Sequence, residues 1–209
     1  MIDDKHFNYW EDWFKKAYEI EEFSAFARMP APVFQPEDLT DLIRQSAFAA
    51  EVANPDIDYQ LDLEPLESPL TCDRRQVAQV LTNVLKNASE AISGRETATE
   101  AGRIRVTLKC HNDVAVIAVT DNGIGLPETA RDRLTEPYVT TRDKGTGLGL
   151  AIVRKIMEEH SGVLQIGDAP DGKGAEVRLC FPLRHPAPES EASEQDLRVL
   201  ATDGHTDRR

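Results

Sequence analysis

"VAVIAVTDNGIGLP", residues 114–127, sets an apolar alternation directly against an acid, two glycines and a proline. The period of two predicts a strand that ends at Asp121. Glycines at 123 and 125 mark a turn that something approaches too closely for side chains. "GRIRVTLKC" (102–110) alternates as well, and only "HND" separates the two runs, so together they predict an antiparallel hairpin. Upstream, "DRRQVAQVLTNVLKNASEAIS" (73–93) puts Val77, Val80, Leu81, Val84, Leu85, Ala88 and Ile92 on one face, the clearest helix in the chain. Downstream, residues 126–147 hold no sustained period and read as a mobile loop with a short helical piece near "PETARDRL". "GLGLAIVRKIMEEHSG" (147–162) is a helix that opens on glycines and stops at Ser161-Gly162. "GVLQIGDAPDGKGAEVRLCFPL" (162–183) is a second hairpin with a Gly-rich turn.

Toward the N-terminus, "YWEDWFKKAYEIEEFSAFAR" (9–28) spaces Trp10, Trp13, Phe14, Ala17, Ile20 and Phe23 as an amphipathic helix, and "MPAPVFQP" stops it. "PEDLTDLIRQSAFAAEV" (36–52) is another helix begun by acids, and "DYQLDLEP" (58–65) alternates like an edge strand. This order predicts an α+β fold, a mixed sheet covered on one face by helices. Three segments are expected: an N-terminal helix (1–29), the main domain (30–183) and, from Arg184 on, a disordered tail without apolar mass.

A chain of 209 residues, 40% apolar and 29% charged, has room for one good core. It carries neither a long apolar run nor a signal-peptide pattern, so the expectation is a cytoplasmic protein without membrane contact. Cys72, Cys110 and Cys180 are too far apart for a zinc or disulfide framework, and are expected to be reduced and packed. The net charge of −13 argues against nucleic acid, but it is unevenly spread. Residues 71–183 hold 15 basic and 15 acidic side chains, whereas residues 30–70 hold nine acids against Arg44 alone. The acidity of the flanking chain therefore need not repel an anionic ligand from the central region.

Four features can carry chemistry. Asn83 and Asn87 share a helical face beside the apolar stripe, either as a polar edge or as amide oxygens for Mg²⁺, with Glu90 one turn on. "GTGLGL" (145–150) is either a flexible start to a helix or a place where backbone N–H groups and the helix dipole meet phosphate. It is neither a Walker A motif nor GxGxxG after a strand. Arg142 and Lys144, with Thr140 and Thr141, are either solvated loop residues or groups that neutralise a γ-phosphate. The Asp121 turn is the fourth. All four fall in order within about 65 residues, which favours the ligand readings together.

At these residues the chain resembles the ATP-binding catalytic domain of bacterial sensor histidine kinases, within the superfamily that includes type II topoisomerases and the heat-shock chaperone ATPase. "NVLKNASEA" resembles the N box, "DNGIGLP" the G1 box and "GTGLGL" the G2 box. "LTEPYVTT" resembles the F box with leucine for the usual phenylalanine, and "GKGAEVRLCFP" the final glycine turn. "EEFSAFARMPAP" and "TEPYVTTRDKGTGLGLAIV" look most like nitrogen-regulation kinases of the NtrY type.

The resemblance implies a two-layer α/β sandwich of the Bergerat type that binds ATP and Mg²⁺. Asn87 would ligand the metal, and Asn83 would support the phosphates. Asp121 would accept from the adenine amino group, with Gly123 and Gly125 giving the base room. Ile117, Ile124, Leu126 and Leu150 would contact the ring. Thr141, Arg142, Lys144, Gly145, Thr146, Gly147, Leu148 and Gly149 would frame the triphosphate. Related ATPases that hydrolyse ATP carry a glutamate base four residues before the metal asparagine, where this chain has Asn83. An amide takes no proton from water, so slow hydrolysis is expected.

The implied partners are a phosphoacceptor helical hairpin and a response-regulator receiver domain, and the N-terminal helix could pair two chains. No phosphoacceptor setting of the form H-[DE]-x-x-x-P occurs at any of the five histidines, so no stable phosphohistidine is expected within this chain, His6 included. An ATP-gated interaction module and an anti-sigma-type serine kinase are the alternatives.

Overall fold

The computed structural model describes residues 29–95, 100–127, 131–139 and 147–183. The expected N-terminal helix and C-terminal tail lie outside these residues, as does much of the loop at 126–147. The elements run β1 (Gln35–Glu37), α1 (Leu39–Ala53), β2 (Ile57–Leu63), β3 (Leu70–Cys72), α2 (Arg74–Ser93), β4 (Gly102–His111) and β5 (Val114–Asp121). A short 3-10 turn (Arg131–Arg133), α3 (Gly149–Glu159), β6 (Val163–Asp168) and β7 (Ala175–Pro182) follow.

Five strands form one sheet in the order β2-β4-β5-β7-β6, with β2 an edge strand as its alternation suggested. It pairs parallel to β4, and the other neighbours are antiparallel. Side chains on one face of β4 and β5, among them Ile104, Val106, Leu108, Ile117 and Val119, meet the apolar stripe of α2 in a single core with Ile152 and Ile156 of α3. The opposite face is mixed: Val114, Val116, Val163 and Cys180 form a small apolar cluster, and the rest is polar. Arg105 pairs with Asp62 at 3.4 Å, and Glu176 accepts from Thr120 Oγ1 at 3.1 Å and Arg178 Nε at 2.6 Å. One face packed on helices and one largely open to solvent are what a two-layer sandwich requires.

The small antiparallel sheet of β1 and β3 was not foreseen, because three residues each give no readable period. Pro36 and Glu37 belong to it, so α1 starts later than expected. Asp38 caps that helix, accepting from Thr40 N at 2.8 Å and Asp41 N at 3.2 Å. At the end of α3, Gly162 N donates to Met157 O and Ser161 N to Glu158 O, with Ser161 at φ +54°. Serine, not glycine, therefore adopts the left-handed residue of the helix stop. The three cysteines are free, with Cys72 and Cys180 buried. Cys110 is exposed, not packed as expected.

Candidate functional site

The Asp121 turn is built by contacts from three directions. Helix α2 comes from one side: Ile124 N donates to Ala91 O at 3.1 Å, and a Cβ on Gly123 would stand 2.7 Å from both Ala91 O and Ala91 Cβ. What approaches Gly123 is thus the protein's own helix. From a second side comes the β6–β7 turn, where a Cβ on Gly174, at φ +89°, would overlap the Asp121 carbonyl oxygen. Gly125, at φ +76°, packs near the same glycine. From the third, Asn122 binds the start of β4, its Oδ1 accepting from Arg103 N at 2.8 Å and its Nδ2 donating to Ala101 O at 2.9 Å.

Asp121 itself is 7% exposed, and its Oδ1 accepts from Gly123 N at 2.8 Å, an Asx turn that orients the carboxylate. Ile124 is exposed, while Leu126 and Leu150 are half-buried and could line an apolar surface. Ile117 is wholly buried in the core and backs the turn.

On α2, Asn83 and Asn87 are half-buried and Glu90 is exposed, all at the border of the buried stripe. The Asn83 Nδ2 atom is buried without a hydrogen-bond partner among the described residues. Leaving such a group unsatisfied costs about 1–3 kcal/mol, so an acceptor brought by a ligand would relieve it. Among the described residues no group of three or more His, Cys, Asp or Glu side chains is placed to hold a metal. Amide oxygens, a few waters and substrate phosphates suit Mg²⁺, which rarely occupies an all-protein cage.

Gly147 and Gly149 of the glycine cluster differ. Gly147, at φ +69°, lies against Tyr138, whose N–H donates to Gly147 O at 3.1 Å; this binds the "EPYV" segment to the start of α3. Leu148 is buried in the N-cap position, where its side chain offers no cap. Among the described residues no atom stands within 4 Å of a Cβ at Gly149, and its φ is not in the left-handed region. Neither packing nor conformation requires glycine there, which leaves the first turn of α3 open to an anion. Thr141, Arg142, Lys144, Gly145 and Thr146 lie outside the described residues.

The other end of the helix pair, away from this turn, is held by Asp73 and His160. Asp73 caps α2, accepting from Arg75 N and Gln76 N, and also from Val33 N at 2.8 Å. Burial would raise its carboxyl, but the hydrogen bonds from Val33 N–H, the Arg75 guanidinium and the Gln76 and Arg75 N–H groups outweigh it and hold the carboxyl at about 2. His160 is buried beside it: Nε2 accepts from Asp73 N at 3.0 Å, and Nδ1 lies 2.8 Å from Ile156 O. With both ring nitrogens engaged, His160 is a structural histidine.

Sequence reasoning reached the site through Asp121 and the asparagines but passed over Asn122, Ala91 and Gly174. Asn122 stood inside the quoted motif. Its partners, Ala101 and Arg103, could be found only from the hairpin register.

Comparison with known proteins agrees with this geometry. The profile of the histidine kinase-, DNA gyrase B- and HSP90-like ATPases matches residues 72–185. Nitrogen regulation protein NtrY of Azorhizobium caulinodans is 49% identical over 81% of this chain and 22% of its own length. Sporulation kinase E of Bacillus subtilis is 34% identical over 84% of this chain and 23% of its own. The chain thus spans about a quarter of the length of the curated relatives it matches.

Among solved structures, the mycobacterial sensor histidine kinase MprB superposes with a TM-score of 0.63 at 28% identity, covering 73% of this chain and 99% of that one. Full-length ShkA in complex with AMPPNP superposes with 0.66 at 28% identity, covering 81% and 36%. With fold, ordered motifs and relatives in agreement, the chain belongs to the histidine kinase-, DNA gyrase B- and HSP90-like ATPase family.

Proposed function

We propose that residues 30–183 are the Mg-ATP-binding catalytic domain of a two-component sensor histidine kinase of the NtrY type, which donates the γ-phosphate to a histidine for relay to a response-regulator aspartate. The observation that carries the nucleotide reading is the buried Asp121 carboxylate, oriented by Gly123 N–H at the end of β5 and facing a turn held on three sides. A fixed carboxylate accepts from the amino group of adenine and would repel the carbonyl that guanine presents there.

Asn87 would hold the metal and Asn83, with its unpartnered Nδ2, would donate to a phosphate oxygen. Mg²⁺ supplies charge neutralisation at the β- and γ-phosphates. Gly149 and the first turn of α3 would approach the phosphates, and Arg142 and Lys144 would close over them from the loop. ATP as the ligand is supported by the family and by the AMPPNP complex of ShkA. Names of the relatives favour phosphorelay over a serine kinase or a gated interaction module.

Calorimetric titration of the chain with ATP tests the reading. Asp121→Ala should weaken ATP about ten- to hundredfold, the equivalent of one hydrogen bond to a charged group. Asn87→Ala should weaken ATP in the presence of Mg²⁺ but leave affinity unchanged in its absence. Unaltered Mg-ATP binding by a folded Asp121→Ala protein would refute the assignment.

A further inference from the structure

Asn122 has no role in the reading above, yet its side chain is engaged at both its oxygen and its nitrogen. Strand β5 ends with Asp121 opposite Ile104, and the next pair in the ladder would be residue 122 with Arg103. That backbone bond is long, Asn122 N to Arg103 O at 3.3 Å, because the chain is already leaving the sheet toward Ala91 of α2. The Asn122 carboxamide turns back and replaces the departing main chain, accepting from Arg103 N at 2.8 Å and donating to Ala101 O at 2.9 Å. A carboxamide holds a carbonyl acceptor and N–H donors in one plane, so it can stand in for a peptide group. At 8% exposure, these bonds are largely shielded from water. The Asn122 carbonyl is in turn reached by Arg95 Nη1 at 3.5 Å, from the end of α2.

Resting on the proposed nucleotide site, we infer that Asn122 is the positioning residue that fixes where β5 leaves the sheet, and hence where the Asp121 carboxylate stands relative to the adenine amino group. It touches no ligand itself. Aspartate in its place would set an acceptor against the Ala101 carbonyl, and alanine would leave Arg103 N–H and Ala101 C=O without these partners. Either change frees the β5 end to shift by a fraction of an ångström, and displacement on that scale at a site of reading weakens it by about tenfold or more.

The test compares Asn122→Asp, Asn122→Ala and Asp121→Ala in the whole chain, by competition of ATP, GTP and inorganic tripolyphosphate against a fluorescent adenine nucleotide with Mg²⁺ present. Thermal melts run alongside. The inference predicts ATP weakened about tenfold in the Asn122 variants, the ATP-to-GTP preference falling toward that of Asp121→Ala, and tripolyphosphate unaffected. Equal weakening of ATP and tripolyphosphate, or an unchanged ATP-to-GTP preference in a folded variant, overturns it. Failure of both Asn122 variants to fold also overturns it, since the role is then structural alone. An Asp121→Ala protein that keeps ATP affinity and preference overturns the nucleotide reading beneath it, which separates the two failures.

Discussion

A methyl group at position 123 would lie 2.7 Å from the Ala91 carbonyl oxygen, whereas one at position 149 would meet no atom of the described residues within 4 Å. Both positions were legible in the sequence as glycines beside a ligand, and only the structure separates their reasons. Ala91 lies 32 residues before Gly123, and spacing alone does not reveal which segment comes close. Gly123→Ala should therefore destabilise the fold by about 1–3 kcal/mol, the usual cost of overpacking. Gly149→Ala should leave stability unchanged or raise it by up to about 1 kcal/mol, since alanine suits a helix better. Its Mg-ATP affinity should fall all the same, because the added methyl stands where phosphate is to approach. Melting curves and calorimetry on the two variants check the pair. Equal loss of stability in both would remove the distinction.

The elements that carry these residues were mostly readable because α2, α3 and the β4–β5 hairpin are long and periodic. The small β1–β3 sheet and the bonds from Asp73 to Val33 and His160 were not, since they depend on partners remote in sequence. Asp73 joins the start of α2 to Val33 in the incoming chain and to His160 at the end of α3. Gln76, in the first turn of α2, adds a bond from Nε2 to Pro30 O at 3.0 Å. The Asp73 carboxyl sits at about 2 in the folded protein against an ordinary 3.8. A depressed carboxyl stabilises the fold above its unfolded value, and the contribution is lost as pH falls from about 4 to about 2. That contribution is of order 2 kcal/mol. Asp73→Asn keeps a capping oxygen but no charge, so its stability should be lower near neutral pH and decline less steeply below pH 4. A denaturation series from pH 7 to pH 2 makes the comparison, and parallel curves for the two proteins would contradict it.

Across the whole molecule, the helix pair separates two tasks. The incoming chain is fastened where α2 begins and α3 ends. The Asp121 turn meets α2 at Ala91, near its other end. Ala91 follows Asp73 by 18 residues, about 27 Å along α2. The sequence showed the ordered motifs and the balanced charge around them, but not this separation, which follows from packing α2 against α3. Under the proposed function, Asn83 stands where the resemblance puts the glutamate base of hydrolysing ATPases, and the site would be a donor that waits for a nucleophile other than water.

Incubating the chain with γ-labelled Mg-ATP and a separate helical hairpin bearing a sensor-kinase acceptor histidine tests that account most directly. Acid-labile, Asp121-dependent label on the hairpin, with little phosphate released when the hairpin is omitted, is the predicted result. Rapid Asp121-dependent release of phosphate by the chain alone, with no label on the hairpin, would contradict it.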